Sequence, residues 1–277
     1  MTTVPTVTLN NGVEMPQLGV GVWRVDDADA TAAVSAALEY GYRSIDTAAM
    51  YQNEAGVGRA IAASGIPRDE LFVTTKLNNQ DQGYDSTLRA IDESLSRLGL
   101  DYVDLYLIHW PQSARNLYTE SWQAFERIYA DKMARAIGVS NFHSGHLDRL
   151  TIQNDLVPAV NQVELHPYFN QSALREYNAS RGIRTEAWSP LGQGGQLLQD
   201  EDLSAIAQAH GKTAAQVVLR WHLQLGNIVI PKSVTPSRLR ENFEVFDFAL
   251  SDSEMSTING LDRAARLGPD PDTFDGS

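Results

Sequence analysis

The sequence predicts an α/β protein, a (β/α)8 TIM barrel with an N-terminal β-hairpin and extra helices and loops on the C-terminal side of the barrel. Eight short apolar segments alternate with helical segments along the chain, a pattern typical of a parallel sheet. No change of composition divides the 277 residues, so we expect a single domain over residues 1–277. A doubly wound sheet is the alternative, but residues 19–23, Gly-Val-Gly-Val-Trp, stop short of its Gly-x-Gly-x-x-Gly fingerprint.

The individual elements follow from local signals, taken in chain order. Residues 10–12, Asn-Asn-Gly, predict the turn of the hairpin, because Asn-Gly favours a tight turn between two short strands. Barrel strands are predicted at residues 18–22, 42–45, 71–75, 103–108, 134–139, 159–163, 183–187 and 228–230. Helices are predicted at residues 27–39, 54–63, 85–98, 119–129, 143–150, 172–181, 203–210 and 214–225, and one begins at residue 235. The Pro-, Asp- and Gly-rich residues 266–277 are predicted to form a loop.

Composition and charge exclude several classes of function. The formal net charge is −13, which disfavours nucleic acid and anionic membrane surfaces, so neither is expected as a partner. The chain has no apolar run of about eighteen residues, and residues 1–5 lack the basic and apolar parts of a secretory signal. The cytoplasm is therefore the expected compartment. Cys is absent, which excludes disulfides, thiolate metal sites and Cys nucleophiles.

Polar side chains stand at the ends of three neighbouring predicted strands. Asp46, Lys76 and His109 each follow such a strand, and Tyr51 lies five residues after Asp46. The carboxyl ends of the strands of a barrel share one face, so we expect these side chains to converge there. Because polar groups are costly to bury unless they are paired, this placement favours chemistry over core packing.

These four residue types suit proton transfer to oxygen. Tyr is a weak acid with a pKa of about 10, and a nearby Lys76 ammonium is predicted to lower the pKa of Tyr51. Asp46 would keep Lys76 charged, and a neutral His109 could orient a substrate oxygen. The pattern favours donation of a proton to an oxygen that gains negative charge, as in carbonyl reduction. The alternative interpretation is a structural ion pair between Asp46 and Lys76 with Tyr51 packed beside it.

A second group of residues follows the last predicted strand. Thr235 is predicted to be the N-cap of a helix with Pro236 in its first turn, and such a helix start can bind phosphate. Lys232 and Arg238 flank it, and Arg238 and Asn242 are four residues apart on one helix face. The alternative interpretation is a capped helix with solvated basic residues.

Several segments in order resemble the aldo-keto reductase family, over essentially the whole chain. The Ser-Pro-Leu-Gly-Gln-Gly sequence at residues 189–194 is similar to a bacterial subgroup resembling 2,5-diketo-D-gluconate reductase. The resemblance implies an NADPH-dependent carbonyl reductase in which Tyr51 is the proton donor. The other resembling segments are residues 41–48 (Gly-Tyr-Arg-Ser-Ile-Asp-Thr-Ala), 98–111, 137–142, 158–167 and 230–233.

The resemblance also implies which residues contact NADPH. Two cationic residues at the 2′-phosphate favour NADPH over NADH, because the extra phosphate is what they recognise. The implied contacts are Ser140, Asn141 and Gln162 for the carboxamide, Trp188 for the nicotinamide ring, Ser189 and Leu191 for the pyrophosphate, Lys232, Ser233 and Arg238 for the 2′-phosphate, and Asn242 for the adenine.

The substrate pocket is expected to be lined by Trp23, Met50, Asn78 and Trp110. Asn78 stands where the family often has Trp, so an aromatic wall is absent at that position. A small aldehyde, an α-dicarbonyl, a diketo-sugar acid or a keto ester would all fit as the small-molecule carbonyl substrate. A monomer is expected.

Other hypotheses stay open at this point. A class I aldolase-like lyase would use Lys76 as its Schiff-base amine, and a cofactor-binding regulatory subunit would keep the fold with slow chemistry. His143 and His146 are three residues apart and could bind a metal ion. No third ligand lies nearby in the sequence, so no metal site is predicted.

Overall fold

Eight parallel strands form one sheet in the order in which they occur along the chain. The structure, a computed structural model, describes residues 4–152, 154 and 156–276. Residues 1–3, which belong to the segment examined for a secretory signal, lie outside the described residues. The strands of this sheet are β3 (Val20–Gly21), β4 (Ser44–Asp46), β5 (Phe72–Leu77), β6 (Val103–Ile108), β7 (Ala134–Ser140), β8 (Val160–Glu164), β9 (Arg184–Trp188) and β10 (Ile228–Val229).

The sheet closes on itself, so the predicted (β/α)8 barrel is confirmed. Leu18 pairs in parallel with Val229, and Gly21 pairs in parallel with Lys232. The Gly19 N–H also donates to the Val229 carbonyl at 2.9 Å. These contacts join the two outer strands, β3 and β10, and leave no open sheet edge.

Helices follow the strands and cover the outside of the barrel. The sequence missed the last of them, although Ser251 and Glu254 form a capping box at its start, which is a recognisable signal. None of the described helices is both long and apolar enough to span a membrane. The helices are α1 (Asp27–Tyr40), α2 (Glu54–Ala63), α3 (Tyr84–Leu98), α4 (Tyr118–Ala130), α5 (Ser144–Ile152), α6 (Ser172–Ser180), α7 (Glu201–His210), α8 (Ala214–Gln224), α9 (Pro236–Phe243) and α10 (Asp252–Asn259).

The predicted hairpin is confirmed and covers one end of the barrel. Strands β1 (Thr6–Thr8) and β2 (Glu14–Pro16) pair antiparallel, with Val7 opposite Met15. Met15 is fully buried and belongs to a compact apolar cluster, here called the barrel floor. The buried residues of the barrel floor are Leu9, Met15, Phe72, Leu105, Leu107, Ala136, Ala159, Val160 and Ile228.

Alternation along the strands separates the outer core from the barrel interior. On β5, Val73 and Leu77 pack in the large cluster under the helices, whereas Phe72 belongs to the barrel floor. Side chains two residues apart on a strand share a face, so Thr74 and Lys76 stand above Phe72 in the interior. The same spacing on other strands builds a polar layer on top of the apolar floor.

The observed strand boundaries differ from the predicted ones in ways that matter for the site. Asp46 and Lys76 lie within β4 and β5 rather than beyond their ends, so both side chains are held by paired backbone. Strand β3 is limited to two residues, and its neighbours Leu18 and Gly19 contribute only isolated contacts to the closure. Tyr51 lies in a short 3₁₀ turn, Ala49–Tyr51, rather than in irregular loop.

Candidate active site

Lys76 and Asp46 form an ion pair inside the barrel. The Lys76 Nζ donates to Asp46 Oδ1 at 2.6 Å and to the Thr47 carbonyl at 2.9 Å. Lys76 is 0% exposed and Asp46 is 3% exposed. Burial opposes the charge on Lys76, but Asp46 and Tyr51 outweigh it, so the pKa of Lys76 is raised above its ordinary value. Lys76 is therefore an ammonium at neutral pH.

Tyr51 and His109 complete the group that the sequence predicted. The Lys76 Nζ lies 5.2 Å from the Tyr51 ring centroid, and the Tyr51 and His109 ring centroids are 5.6 Å apart at 73°. The Lys76 ammonium lowers the pKa of Tyr51, as predicted, but the net shift of that pKa is upward. Burial raises the pKa of Tyr51 by more than the Lys76 ammonium lowers it, and Asp46 adds to the rise. The phenol consequently keeps its proton at neutral pH.

His109 is neutral, as the sequence interpretation required. Burial and then the Lys76 charge hold the pKa of His109 well below its ordinary value. A neutral imidazole carries one N–H, and His109 Nδ1 is buried without a hydrogen-bond partner among the described residues. Placing the proton on Nε2 leaves no buried N–H unsatisfied at Nδ1, so we assign that tautomer.

Sequence reasoning missed Glu186, a second buried carboxyl group beside the ion pair. The Gln162 Nε2 donates to Asp46 Oδ2 at 2.8 Å and to Glu186 Oε2 at 2.8 Å. Burial, followed by the charge of Asp46, raises the pKa of Glu186 to about 8. The sequence could have indicated Glu186, because it stands two residues before Trp188 on β9 and its side chain therefore lies on the same face of the strand.

Residues predicted to hold the nicotinamide end are joined by hydrogen bonds. The Trp188 Nε1 donates to Asn141 Oδ1 at 2.8 Å, and Asn141 Nδ2 donates to the His109 carbonyl at 3.0 Å. The Ser140 hydroxyl donates to the Gln162 carbonyl at 2.8 Å. The structure thus brings Ser140, Asn141, Gln162 and Trp188 together next to His109.

The start of α9 presents two cations to solvent. Lys232 and Arg238 are exposed, and neither forms an ion pair with another described residue. Thr235 is the N-cap residue, as predicted, although its hydroxyl makes no capping hydrogen bond. Instead the buried Ser233 hydroxyl accepts from the Thr235 N–H at 3.2 Å.

The other predicted cofactor residues, Ser189, Leu191 and Asn242, lie on the turn after β9 and on α9. Ser189 and Leu191 begin the turn after β9, where the Gly192 N–H donates to the Ser189 carbonyl at 3.0 Å. Asn242 is buried, whereas Arg238 on the same helix is exposed. The two side chains therefore differ in exposure, although they are four residues apart on α9, a helix that contacts α1 and α8.

Residues predicted for the substrate pocket lie at the mouth of the barrel. Trp23 is 38% exposed, Met50 is 39% exposed and Asn78 is partly exposed. Trp110 is largely covered because Phe274 packs on it, with ring centroids 4.5 Å apart. The sequence predicted a loop for the C-terminal tail and missed this contact, for which an apolar residue in a polar tail was the only signal.

The same tail meets the two histidines that were considered as metal ligands. His143 Nδ1 lies 3.0 Å and His146 Nε2 lies 3.3 Å from Asp272 Oδ1, so the fold supplies a third potential ligand. However, His146 Nδ1 accepts from the His143 backbone N–H, and His143 Nε2 accepts from Arg266. The hydrogen atoms of the two neutral rings are therefore on His143 Nδ1 and His146 Nε2, the nitrogens that face Asp272. A histidine that binds a metal ion does so through an unprotonated nitrogen and donates a hydrogen bond from its other ring nitrogen. The hydrogen bonds here have the opposite arrangement, so this cluster is better described as a set of hydrogen bonds that hold the tail.

Comparison with known sequences decides the family. The profile of the Aldo/keto reductase family matches residues 15–263. The chain belongs to this family. The prediction that it is an oxidoreductase of the aldo-keto reductase type is thereby confirmed, as is the resemblance that motivated it.

Individual members of the aldo/keto reductase family match over nearly their whole length. Morphine 6-dehydrogenase of Pseudomonas putida is 53% identical, with 99% of this chain and 96% of that protein covered. Glyoxal reductase of Bacillus subtilis (strain 168) is 53% identical, with 96% of each chain covered. Among solved structures, a single-residue variant of Gox0644 in complex with NADPH is 47% identical, with 99% of each chain covered and a TM-score of 0.95.

Proposed function

We propose that this aldo/keto reductase reduces a small carbonyl compound, an aldehyde or an α-dicarbonyl, to the alcohol with NADPH. The observation that carries the proposal is the convergence of Tyr51 and His109 on a Lys76 ammonium held by Asp46. A relative named glyoxal reductase and NADPH bound in the Gox0644 variant also support it. Diketo-sugar acids and keto esters are further candidates of the same chemical class.

The side chains present fit a dinucleotide phosphate. Lys232 and Arg238 are exposed cations at a helix start on a protein of net charge −13, a donor set suited to an anion. At the other end, Gln162 turns its amide nitrogen inward, which leaves its oxygen for a ligand amide. When bound, NADPH supplies a hydride to the carbonyl carbon. The remaining residues proposed to hold it are Ser140, Asn141, Trp188, Ser189, Leu191, Ser233 and Asn242.

Tyr51 is proposed to protonate the carbonyl oxygen. Its raised pKa keeps the phenol loaded with a proton at neutral pH. The Lys76 ammonium, 5.2 Å from the ring centroid, stabilises the phenolate that remains after the proton has moved. A neutral His109 donates one hydrogen bond to the same substrate oxygen and fixes its direction.

The two alternative hypotheses find less support. A Schiff-base lysine must be a neutral amine, whereas Lys76 lies 2.6 Å from the Asp46 carboxylate and has a raised pKa. Borohydride reduction in the presence of a carbonyl substrate would trap an adduct on Lys76 only if the aldolase hypothesis were right. A regulatory subunit with slow chemistry would not need all four of the residues gathered here.

Replacing Tyr51 by Phe tests the proton donor. We expect turnover of carbonyl substrates to fall by about 10²–10⁴, the usual contribution of a positioned general acid, while NADPH binding measured by fluorescence stays unchanged. Tyr84→Phe is the matched control, because Tyr84 is 40% exposed on α3, and it should keep full turnover. Undiminished turnover in Tyr51→Phe would show that another group delivers the proton.

A substrate panel tests the chemical class. Glyoxal, an aromatic aldehyde, a diketo-sugar acid and a keto ester would each be offered with NADPH, and cofactor consumption would be followed by absorbance. We expect the highest kcat/KM for the small dicarbonyl, because Phe274 and Trp110 narrow the mouth. Equal rates across the panel would contradict a preference for small substrates, and no consumption with any member would contradict the proposed function itself.

A further inference from the structure

Glu186 is a buried carboxyl group that the proposed reaction does not use directly. It is 0% exposed and stands on β9 between Gln162 on β8 and Ile228 on β10. Its Oε2 accepts from Gln162 Nε2 at 2.8 Å, and its Oε1 is buried without a hydrogen-bond partner in the part of the chain that the structure describes. An ionised carboxylate with one neutral donor would be costly in such a place.

We propose that Glu186 is a positioning residue, which keeps its proton and fixes the Gln162 amide so that its nitrogen faces Asp46 and its oxygen faces the mouth. This inference rests on the proposed function. Gln162 is the link, because one amide nitrogen donates to both carboxyl groups at 2.8 Å. In its neutral form, Glu186 acts on the cofactor through Gln162.

The amide geometry makes the orientation of Gln162 unambiguous. A side-chain amide has two N–H donors and one carbonyl acceptor. Both donors of Gln162 are directed to Asp46 and Glu186, and a flipped amide would set its oxygen against the Asp46 carboxylate. Gln162 is 2% exposed, so no solvent competes for these bonds.

The charge balance explains why Glu186 should stay neutral. One ammonium, that of Lys76, is available, and Asp46 already takes it at 2.6 Å. Two carboxylates on one amide nitrogen would repel each other, as in other carboxyl pairs that share a site. Burial and Asp46 raise the pKa of Glu186 to about 8, in agreement with this geometry. The titratable groups around it are Asp46, Lys76 and Tyr51, and its strand neighbours Gln162 and Ile228 carry no charge.

Ionisation of Glu186 should therefore weaken the reaction at alkaline pH. A carboxylate at this position would draw the Gln162 donors and the Lys76 ammonium away from Asp46, and its charge raises the pKa of Tyr51 further. A phenol with a higher pKa is a poorer proton donor. We expect kcat of the wild-type enzyme to decline as the pH rises through about 8.

Two substitutions separate positioning from simple packing. Glu186→Leu keeps the bulk and removes the acceptor, so we expect the NADPH dissociation constant to rise about tenfold, since a buried N–H of Gln162 loses its partner. Glu186→Gln restores an uncharged acceptor, so it should recover that affinity and abolish the alkaline decline in kcat. NADPH affinity is measured by fluorescence titration and kcat by NADPH consumption between about pH 7 and 9.

Glu54→Gln provides the matched control. Glu54 is a buried Glu on α2, outside the barrel interior, where it accepts from Thr75 at 2.6 Å and pairs with Arg97 at 2.7 Å. Its substitution should leave the pH profile unchanged. The proposal is overturned if Glu186→Leu binds NADPH like the wild type, or if the Glu186→Gln profile superimposes on the wild-type profile.

Failure of this inference can be told apart from failure of the proposed function. An inactive wild type over the whole substrate panel would contradict the function, whereas the affinity of Glu186→Leu for NADPH needs no turnover. If Glu186→Leu fails to fold, as judged by circular dichroism, the pH profile of Glu186→Gln alone decides the outcome.

Discussion

Lys76 shows how burial and pairing together set a charge state. A buried lysine without a partner loses its proton easily, but the Asp46 carboxylate at 2.6 Å reverses this tendency. The sequence predicted the pair, because two polar residues at neighbouring strand ends must meet. It could not predict the net shift of the Tyr51 pKa, because that shift depends on how deeply the fold buries the ring, which no spacing reveals.

His109 makes a testable contribution to the pH dependence. Its pKa lies well below the ordinary value, so the imidazole does not titrate between about pH 6 and 7, where an unperturbed histidine would. We expect kcat/KM for carbonyl reduction to be flat over that interval. A steady-state pH profile checks this, and an acid limb centred near pH 6.5 would mean that His109 becomes charged in the working enzyme.

Arg238 should determine the choice between the two nicotinamide cofactors. The substitution Arg238→Glu replaces an exposed cation by an anion. We therefore expect the KM for NADPH to rise about tenfold or more and the KM for NADH to change little. Arg240→Glu is the matched control on the same helix, since Arg240 pairs with Glu244 at 2.9 Å. Equal losses with both cofactors would place the 2′-phosphate elsewhere.

At the scale of the element, the second barrel helix depends on a close approach that only Gly allows. A Cβ at Gly58 of α2 would lie 2.2 Å from the Leu98 carbonyl oxygen at the end of α3. Helix propensity alone would favour Ala at this position. Here the steric conflict outweighs the gain in helix propensity, because the neighbouring atom is the Leu98 backbone oxygen, which cannot move aside.

Gly58→Ala should therefore destabilise the protein by about 1–3 kcal/mol, as an overpacked core does. Gly145→Ala is the matched control, because no atom of the described residues lies within 4 Å of a Cβ built there on α5. That substitution should raise the free energy of unfolding by up to about 1 kcal/mol through helix propensity. Urea denaturation of both variants checks the opposite signs, and a stabilised Gly58→Ala would contradict the packing argument.

Most barrel elements could be predicted from the sequence, whereas several contacts between distant segments could not. Alternating apolar and helical segments identify the strands and helices, because each pattern is local. Glu186 and the tail residue Phe274 were missed for a different reason. Their partners, Gln162 and Trp110, are brought to them by barrel closure and by the path of the tail, and neither event leaves a periodic signal.

At the scale of the whole molecule, the two terminal segments cover opposite ends of the barrel. Met15 of the hairpin completes the apolar floor, and the tail crosses the mouth, where Phe274 packs on Trp110. Glu164 anchors that tail. Its carboxylate is buried and accepts from the Leu267 N–H at 2.6 Å and the Gly268 N–H at 2.7 Å.

Glu164→Gln should loosen the tail without unfolding the barrel. An amide nitrogen cannot accept from a backbone N–H, so the loss of a charged acceptor should speed hydrogen exchange in residues 267–276 by about tenfold or more. Exchange mass spectrometry checks this. Glu14→Gln is the control at the opposite end, where Glu14 accepts from Thr8 at 2.6 Å, and it should leave the tail unchanged. Unaltered exchange in Glu164→Gln would show that other contacts hold the tail.

The barrel floor also determines by which route Tyr51 can regain a proton after each reaction. Leu105, Leu107 and Ile228 can neither give nor take a proton, and they belong to the same apolar cluster as Met15 of the hairpin. In the proposed reaction, Tyr51 must then be recharged from bulk water on the mouth side. The carbonyl substrate, the alcohol product and the replacement proton therefore all pass through the mouth of the barrel. They must use it one after another in each catalytic cycle.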